Sequence, residues 1–367
     1  MNKKRVLILA QHFMSLYSFR RELIERLCRD GHEVYLSLPE SDDNVFFENL
    51  GCKIVPTEIN RRGVNPIEDL KLILFYHKTI AEVRPEIVLS YTIKPNVYGG
   101  IVCQWKKIPY IANITGLGTS IENGGLLSKI SITLYKLGLK KAKCVFFQNR
   151  DNQRFFVDRG VVKGKNRLIP GSGVNLEAHN FEPYPSDENG IRFLFVGRIM
   201  KNKGIEELLS ATMDIHSKRK DVVLDVVGFF EEDYTEALGK AEKKGAVIYH
   251  GRKSDVHPFY KACHCAVLPS YYEGMSNVML EASATGRPVI TTLVPGCQET
   301  FDEGITGFGC EAREADSLKD AMLHFLSLSQ SEREKMGNAA HEKMVREFDR
   351  KIVVEAYMEE IDTIFRH

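Results

Sequence analysis

The sequence predicts an α/β protein built as two doubly wound, parallel-sheet domains that face each other across a cleft. Three observations carry this expectation. Short β-rich apolar runs alternate with helical patterns along the whole chain, as they do where parallel strands are joined by crossover helices. The chain has 367 residues, beyond the size at which a single core goes on growing. Residues 171–190 carry Gly, Pro, Asn and Ser without periodicity, which marks a linker near mid-chain.

In the first half, strands are expected at residues 6–10, 34–38, 54–59, 87–91, 110–114 and 144–148, with helices at 19–29, 67–83 and 126–141. Asn65-Pro66 ahead of Ile67 is a helix start with proline at the first helical position. The second half repeats the theme. Strands are expected at 192–196, 222–227, 247–249, 265–268 and 288–291, and helices at 205–218, 232–244, 256–263, 277–285 and 317–329. The last helical stretch, about 335–365, exceeds what the second domain needs, so its end is expected to cross back. The resulting division is 1–180, 181–345, and a C-terminal helix at 346–367 packing towards the N-terminal domain.

Composition is that of a globular enzyme, with no low-complexity tract and no apolar run near the roughly 20 residues that span a bilayer. Lys3-Lys4-Arg5 ahead of a five-residue apolar run imitates a leader peptide, but the run suits a buried strand better. The eight cysteines are scattered, mostly within apolar segments. Cys263-His264-Cys265 looks like a metal cluster but has no second Cys/His pair at matching spacing, so no metal is expected. Free thiols suit a reducing cytoplasm. The net charge of +1 hides a split: residues 1–185 hold 27 Lys+Arg against 18 Asp+Glu, and the remainder 23 against 31. Neutral overall charge and the lack of any nucleic-acid motif argue against nucleic acid as a partner. A basic first half suits an anionic membrane or a phosphorylated acceptor.

The most informative segment runs from Leu268 and Pro269 through Glu273-Gly274-Met275-Ser276-Asn277 to Glu281. A strand ends, a loop carries Glu273, and a helix opens near Asn277. Its free N–H groups and positive dipole end suit a diphosphate. Glu281, in the second turn, is placed to accept from a ribose diol, and Glu273 to reach a sugar hydroxyl. Taken alone, the pair reads first as a carboxylate of an amphipathic helix and a solvated loop charge. A second segment, Val196-Gly197-Arg198 followed by Lys203-Gly204, ends another strand and opens another helix. Its glycines permit close approach, and its two cations suit a pyrophosphate. Both segments end strands of the same domain, so they can converge on one pocket.

With Gly304-Ile305-Thr306-Gly307-Phe308, these motifs resemble the retaining GT-B glycosyltransferases of family four, in order and spacing across the whole C-terminal half. The resemblance implies two Rossmann-like domains: an N-terminal one for the acceptor and a C-terminal one for a nucleotide-sugar donor. It implies that Arg198 and Lys203 hold the donor diphosphate and offset charge on the departing nucleotide. It further implies that Glu281 binds the ribose, Glu273 contacts the donor sugar, and Arg252, after Gly251, lies near the base. The backbone of Gly274, Met275, Ser276 and Asn277 would line the site together with Gly197. On this reading Arg198, Lys203 and Glu273 are the catalytic set.

The first half resembles a narrower group through Ser90 to Asn96, Asn113 to Gly118, Phe146 to Asn149 and Pro170 to Val174. This group comprises bacterial enzymes of surface-polysaccharide and lipid-linked glycan synthesis, N-acetylgalactosaminyltransferases among them. Two departures stand out. The stretch from Gln11 to Tyr17 lacks the Gly-Gly loop common in the family, and Lys94 stands about where many members carry a histidine. His12, Lys94 and Thr115 are the candidates for acceptor or phosphate contact. Lys94 is read either as balancing phosphate charge or as a solvated loop cation, and His12 either near the chemistry or as a satisfied loop residue.

The expected function is retaining, metal-independent transfer of a hexose or N-acetylhexosamine from a UDP-sugar to a glycan, the acceptor being a polyprenyl-diphosphate-linked sugar, without a cofactor. Residues 126–143 hold five lysines and no acid. Read alone, the segment is a core-packing helix with a lysine-coated outer face; with the basic first half and the resemblance, the expectation is peripheral association with the inner face of the cell membrane. Rival readings are a nucleotide-sugar 2-epimerase of related architecture and a non-catalytic nucleotide-sugar-binding protein. A dehydrogenase is weaker, since no G-x-G-x-x-G follows either first strand.

Overall fold

The computed structural model describes residues 3–57, 65–118, 121 and 124–366. The chain divides into two compact units, Met1–Ser172 with Lys351–His367, and Gly173–Arg350. The expected boundaries were 180 and 345.

The first unit holds a seven-stranded parallel sheet made of β1 (Arg5–Leu9), β2 (Glu33–Leu38), β3 (Lys53–Pro56), β4 (Ile87–Tyr91), β5 (Tyr110–Ile114), β6 (Cys144–Phe147) and β7 (Asn166–Leu168). Their order is β3-β2-β1-β4-β5-β6-β7, a doubly wound arrangement whose order reverses between β1 and β4. Side chains alternate across the sheet. Val6 and Ile8 join a core with Leu23 and Leu27 of helix Phe13–Arg29, and with Tyr357 and Ile361 of the last helix, Arg350–Arg366. Leu7 and Leu9 face the other way. They meet Tyr76 of helix Pro66–Val83, Val102 of helix Gly100–Lys106 and Tyr135 of helix Gly125–Leu139.

The second unit holds a six-stranded parallel sheet: β8 (Ile191–Val196), β9 (Val222–Val227), β10 (Val247–Tyr249), β11 (Cys265–Leu268), β12 (Val289–Thr292) and β13 (Gly307–Cys310). The order is β10-β9-β8-β11-β12-β13, reversing between β8 and β11.

Several expectations need correction. The first helix begins at Phe13 rather than 19, because His12 caps it, Nδ1 accepting from the Ser15 N–H at 3.1 Å. The segment standing in place of a glycine loop is thus largely helix. β7 and β13 were not expected as strands. One is a three-residue edge strand with no apolar run, and the other reads GFGC, whose glycines weaken the strand signal. The strand expected at 54–59 ends at Pro56, and positions 58 and 59 lie outside the described residues. The long final helix is broken into Gln330–Lys343, a π-helical turn Met344–Phe348, and Arg350–Arg366. The break is fixed by pairing: the Val174 N–H donates to Phe348 O at 2.8 Å, and the Arg350 N–H to Val174 O at 3.0 Å.

Candidate active site

The two informative segments meet at the carboxyl edge of the second sheet, where β8 and β11 lie side by side. β8 leads through Gly197 and Arg198 into a turn at Lys201–Lys203, and Gly204 opens helix Ile205–Lys218. β11 leads through Pro269 and the Glu273 loop into helix Asn277–Ala284. The Tyr271 N–H donates to Asn202 O at 3.0 Å, tying one loop to the other. Gly204 has φ +69°, and a Cβ there would lie 2.1 Å from Pro269 O. Only glycine allows both the conformation and the approach.

That contact lets Lys203 Nζ form an ion pair with Glu273 Oε1, both side chains more than four-fifths buried. The Ser270 hydroxyl donates to the same Oε1 at 2.9 Å. Arg198 is half exposed, its nearest carboxylate Glu231 at 3.8 Å. The Ser276 N–H is held by Gly296 O at 2.7 Å, fixing the chain at the mouth of the helix. Among the described residues, Ser276 Oγ and Asn277 Oδ1 are shielded from solvent and have no hydrogen-bond partner. Met275 is buried against Val174 and Leu280.

Glu281 lies one turn further along. Tyr260 donates its hydroxyl to Oε2 at 2.9 Å, and His179 Nε2 stands 3.9 Å from Oε1. Burial pushes the carboxyl up to about 7, against the Tyr260 hydrogen bond and the positive charge of Arg350, which favour ionisation. One fifth of the side chain remains exposed. His179 moves the other way, down to about 4, chiefly through burial and then through the charges of His257 and Arg350.

Behind this group lies Arg287, fully buried. It donates to the carbonyls of Tyr260 (2.9 Å), Glu182 (2.9 Å), Gly286 (3.1 Å), Pro183 (2.8 Å) and Lys261 (2.9 Å). Sequence reasoning missed Tyr260, His179 and Arg287. An aromatic in a short helix, a linker histidine and an arginine after a Thr-Gly turn give no signal until the chain is folded.

Arg252 stays apart from Lys203, Glu273 and Glu281 in its contacts. It is exposed, lies 5.8 Å from the Phe229 ring, and follows β10, two strands from β8. The sheet edge there is continuous through glycines: the Gly228 N–H donates to Gly251 O at 3.0 Å, and a Cβ on Gly228 would strike Gly197 O. Cys263, His264 and Cys265 are buried. The His264 ring accepts the Arg192 N–H at 3.0 Å, so the segment serves the packing of β8 and β11. Among the described residues no group of three or more His, Cys, Asp or Glu is placed to hold a metal ion. In the first unit, His12, Lys94 and Thr115 follow β1, β4 and β5, three adjacent strands, at one edge of that sheet. Lys94 is paired with Asp69 at 2.9 Å.

Two doubly wound parallel sheets, one of them carrying such a site at its carboxyl edge, are the fold of the GT-B class of glycosyltransferases. Residues 177–343 match the model of the Glycosyl transferases group 1, and residues 5–149 that of the Glycosyl transferase 4-like proteins. The chain belongs to the group 1 glycosyltransferases. It is 27% identical, over 99% of its length and 100% of the relative's, to the N,N'-diacetylbacillosaminyl-diphospho-undecaprenol alpha-1,3-N-acetylgalactosaminyltransferase of Campylobacter jejuni. It is 25% identical, over 71% of its length and 72% of the relative's, to the UDP-Gal:alpha-D-GlcNAc-diphosphoundecaprenol alpha-1,3-galactosyltransferase of Escherichia coli. Anabaena HepE, solved with UDP and glucose, superposes with a TM-score of 0.78 at 17% identity, covering 98% of this chain and 99% of that one, a likeness of fold.

Proposed function

We propose that this glycosyltransferase moves a hexose or N-acetylhexosamine from a UDP-sugar to a polyprenyl-diphosphate-linked saccharide, with retention at the anomeric carbon. The observation that carries the reading is the gathering of Lys203, Glu273 and the mouth of helix Asn277–Ala284 at one sheet edge, with Glu281 one turn on. Two relatives bear names with diphospho-undecaprenol acceptors, one with a UDP-linked donor. Both support the choice of a lipid-linked acceptor and the second that of a UDP-linked donor, while a 26% identical relative named as a capsular polysaccharide biosynthesis glycosyltransferase supports a place in surface-polysaccharide synthesis.

On this reading the diphosphate lies against Arg198, Lys203 and the helix mouth, and its arrival exchanges the Glu273–Lys203 pair for a phosphate–Lys203 one. Glu273 is then released to the donor sugar. Glu281 accepts from the ribose diol, with Tyr260 holding it in place. Backbone N–H groups of Met275 and Asn277 line the sugar and phosphate, with Ser276 between them held by Gly296 O, and Arg252 stands by the base. The anomeric carbon–phosphate bond breaks as the acceptor oxygen bonds the same face, and the acceptor proton passes to the departing phosphate oxygen. No protein nucleophile takes part. The fixed cations supply the transition-state stabilisation. The first unit, with His12, Lys94 and Thr115 at its sheet edge, takes the acceptor. The protein works in the cytoplasm, peripheral to the membrane that holds such an acceptor.

The test is thermal stabilisation by a panel of UDP-, GDP- and ADP-sugars, with Glu281→Ala alongside. Stabilisation of the wild type alone by one UDP-sugar is expected. No stabilisation by any member, with or without a lipid-linked acceptor analogue, overturns the reading.

A further inference from the structure

We propose that the outer surface of three helices of the first unit, Pro66–Val83, Gly100–Lys106 and Gly125–Leu139, is the face that rests on an anionic lipid bilayer, with Trp105 inserted at the interface. The proposal rests on the reading of the protein as peripheral to a membrane, and assigns that reading a surface.

The three helices lie together on one side of the sheet. Their inward residues, Leu72, Tyr76, Val102 and Tyr135, share one core, and Gln104 Nε2 donates to Leu137 O at 2.8 Å, joining the second helix to the third. Their outward residues are unlike those of an ordinary solvated face. Ile67, Leu70 and Leu74 form an exposed stripe on the first helix at spacings of three and four. Leu126, Ile130 and Leu137 form another on the third, at spacings of four and seven, Leu126 being 74% exposed. Between them Trp105 is 63% exposed. A tryptophan with an apolar body and a polar N–H belongs at a membrane–water boundary more than in bulk water.

Charge selects the occupant. From 87 to 150, which holds the second and third helices, the sequence has one acid, Glu122, against eight lysines and Arg150, whereas the first helix carries Glu68, Asp69 and Glu82 against Lys71 and Lys78. Lys129, Lys136 and Lys140 on the third helix are exposed among its leucines. Past that helix, a cleft of about 670 Å³ is lined in part by Lys107, Lys141 and Lys143, with Lys165 there paired to Glu360 at 2.8 Å. A second copy of this chain would set lysines against lysines, which is unfavourable. Anionic headgroups complement the lysines while the apolar stripes and Trp105 sink below them. No helix among the described residues is long and apolar enough to cross a membrane, so the helices lie along the surface.

The chain has one tryptophan, so its fluorescence reports on this face alone. Vesicles of phosphatidylcholine with phosphatidylglycerol should shift Trp105 emission to the blue, and lipids brominated in the acyl chain should quench it. Pure phosphatidylcholine should do neither. Added salt should reverse the shift. Lys136→Ala and Lys140→Ala should each lower vesicle partition about fivefold while leaving UDP-sugar stabilisation unchanged.

Pelleting with vesicles without a change at Trp105 overturns the assigned face and leaves peripheral association standing. No pelleting even at low salt overturns both. Blue emission without lipid that grows with protein concentration overturns the proposal in favour of a second copy on this face. UDP-sugar binding in solution judges the transferase reading separately.

Discussion

Lys203 and Glu273 are joined across two loops that leave adjacent strands, 70 positions apart in sequence, and the pair is largely shielded from water. If Lys203 takes the donor diphosphate as proposed, the carboxylate keeps that cation oriented and neutralised until the anion replaces it, and removing the lysine takes a preorganised charge from the departing diphosphate. Lys203→Ala should lower kcat by about 10²–10³, the loss seen when one preorganised donor is removed from a transition state. The check is initial-rate transfer at saturating donor, with circular dichroism showing the fold intact. A loss confined to KM would place Lys203 outside the chemistry.

Glu281 gives the site a pH dependence with a definite sign. Burial raises its carboxyl from an ordinary 4.5 to about 7. Between those values the folded protein keeps a proton that the unfolded chain has released, so this group's contribution to stability is present at low pH and lost as pH rises through about 7. Only the ionised form accepts both hydroxyls of a ribose. UDP-sugar affinity should thus rise about tenfold between about pH 6 and about pH 8, as the carboxylate population does. Calorimetric titration of wild type and Glu281→Gln checks both ends, and a flat wild-type profile would refute the assignment.

Metal dependence provides a separate check on the cationic set. If Arg198 and Lys203 carry the leaving-group charge, a chelator in the transfer assay should leave the rate unchanged, and added Mg²⁺ or Mn²⁺ should not raise it. A rate that vanishes with chelator and returns with one of these ions would overturn the reading.

The backbone of this site was legible in the sequence because its signals are local. A glycine or a cation directly after an apolar strand, and a carboxylate at fixed offset from a helix start, need no tertiary information. The strands at Ile87–Tyr91, Tyr110–Ile114 and Val222–Val227 were legible for the same reason, as β-branched runs between turns. What surrounds Glu281 was not. Tyr260 and His179 come from a short helix and a linker, and only folding brings them to one carboxylate, with Arg287 of a later turn holding the Tyr260 carbonyl. Cap chemistry was overlooked too: the sequence offered His12 either near the chemistry or as a satisfied loop residue, and its ring accepts from the Ser15 N–H in the first helical turn.

Gly204 ties backbone conformation to the Lys203–Glu273 pair. Its positive φ and its contact with Pro269 O leave no room for a side chain. Gly204→Ala should destabilise the second unit by about 1–3 kcal/mol through the left-handed backbone alone, and it should separate Lys203 from Glu273. Scanning calorimetry should show the transition of the second unit move down while that of the first stays in place. Transfer activity should fall further than the loss of folded protein explains.

Arg287 offers the sharpest separation of stability from chemistry. Its guanidinium reaches five carbonyls from the helix His257–Ala262, the linker at Glu182 and Pro183, and its own turn, and no water replaces it there because the side chain is fully buried. Lysine has three donors on a single nitrogen and cannot span that fork. Arg287→Lys would leave buried carbonyls unpaired and should cost about 3–5 kcal/mol, the range for breaking a buried charged network. The helix carrying Tyr260 would loosen with it. Urea unfolding of the second unit checks the stability. UDP-sugar affinity checks the site, since Glu281 without a fixed Tyr260 should bind ribose less well, and a variant that loses stability but keeps full affinity would show that Tyr260 needs no such support.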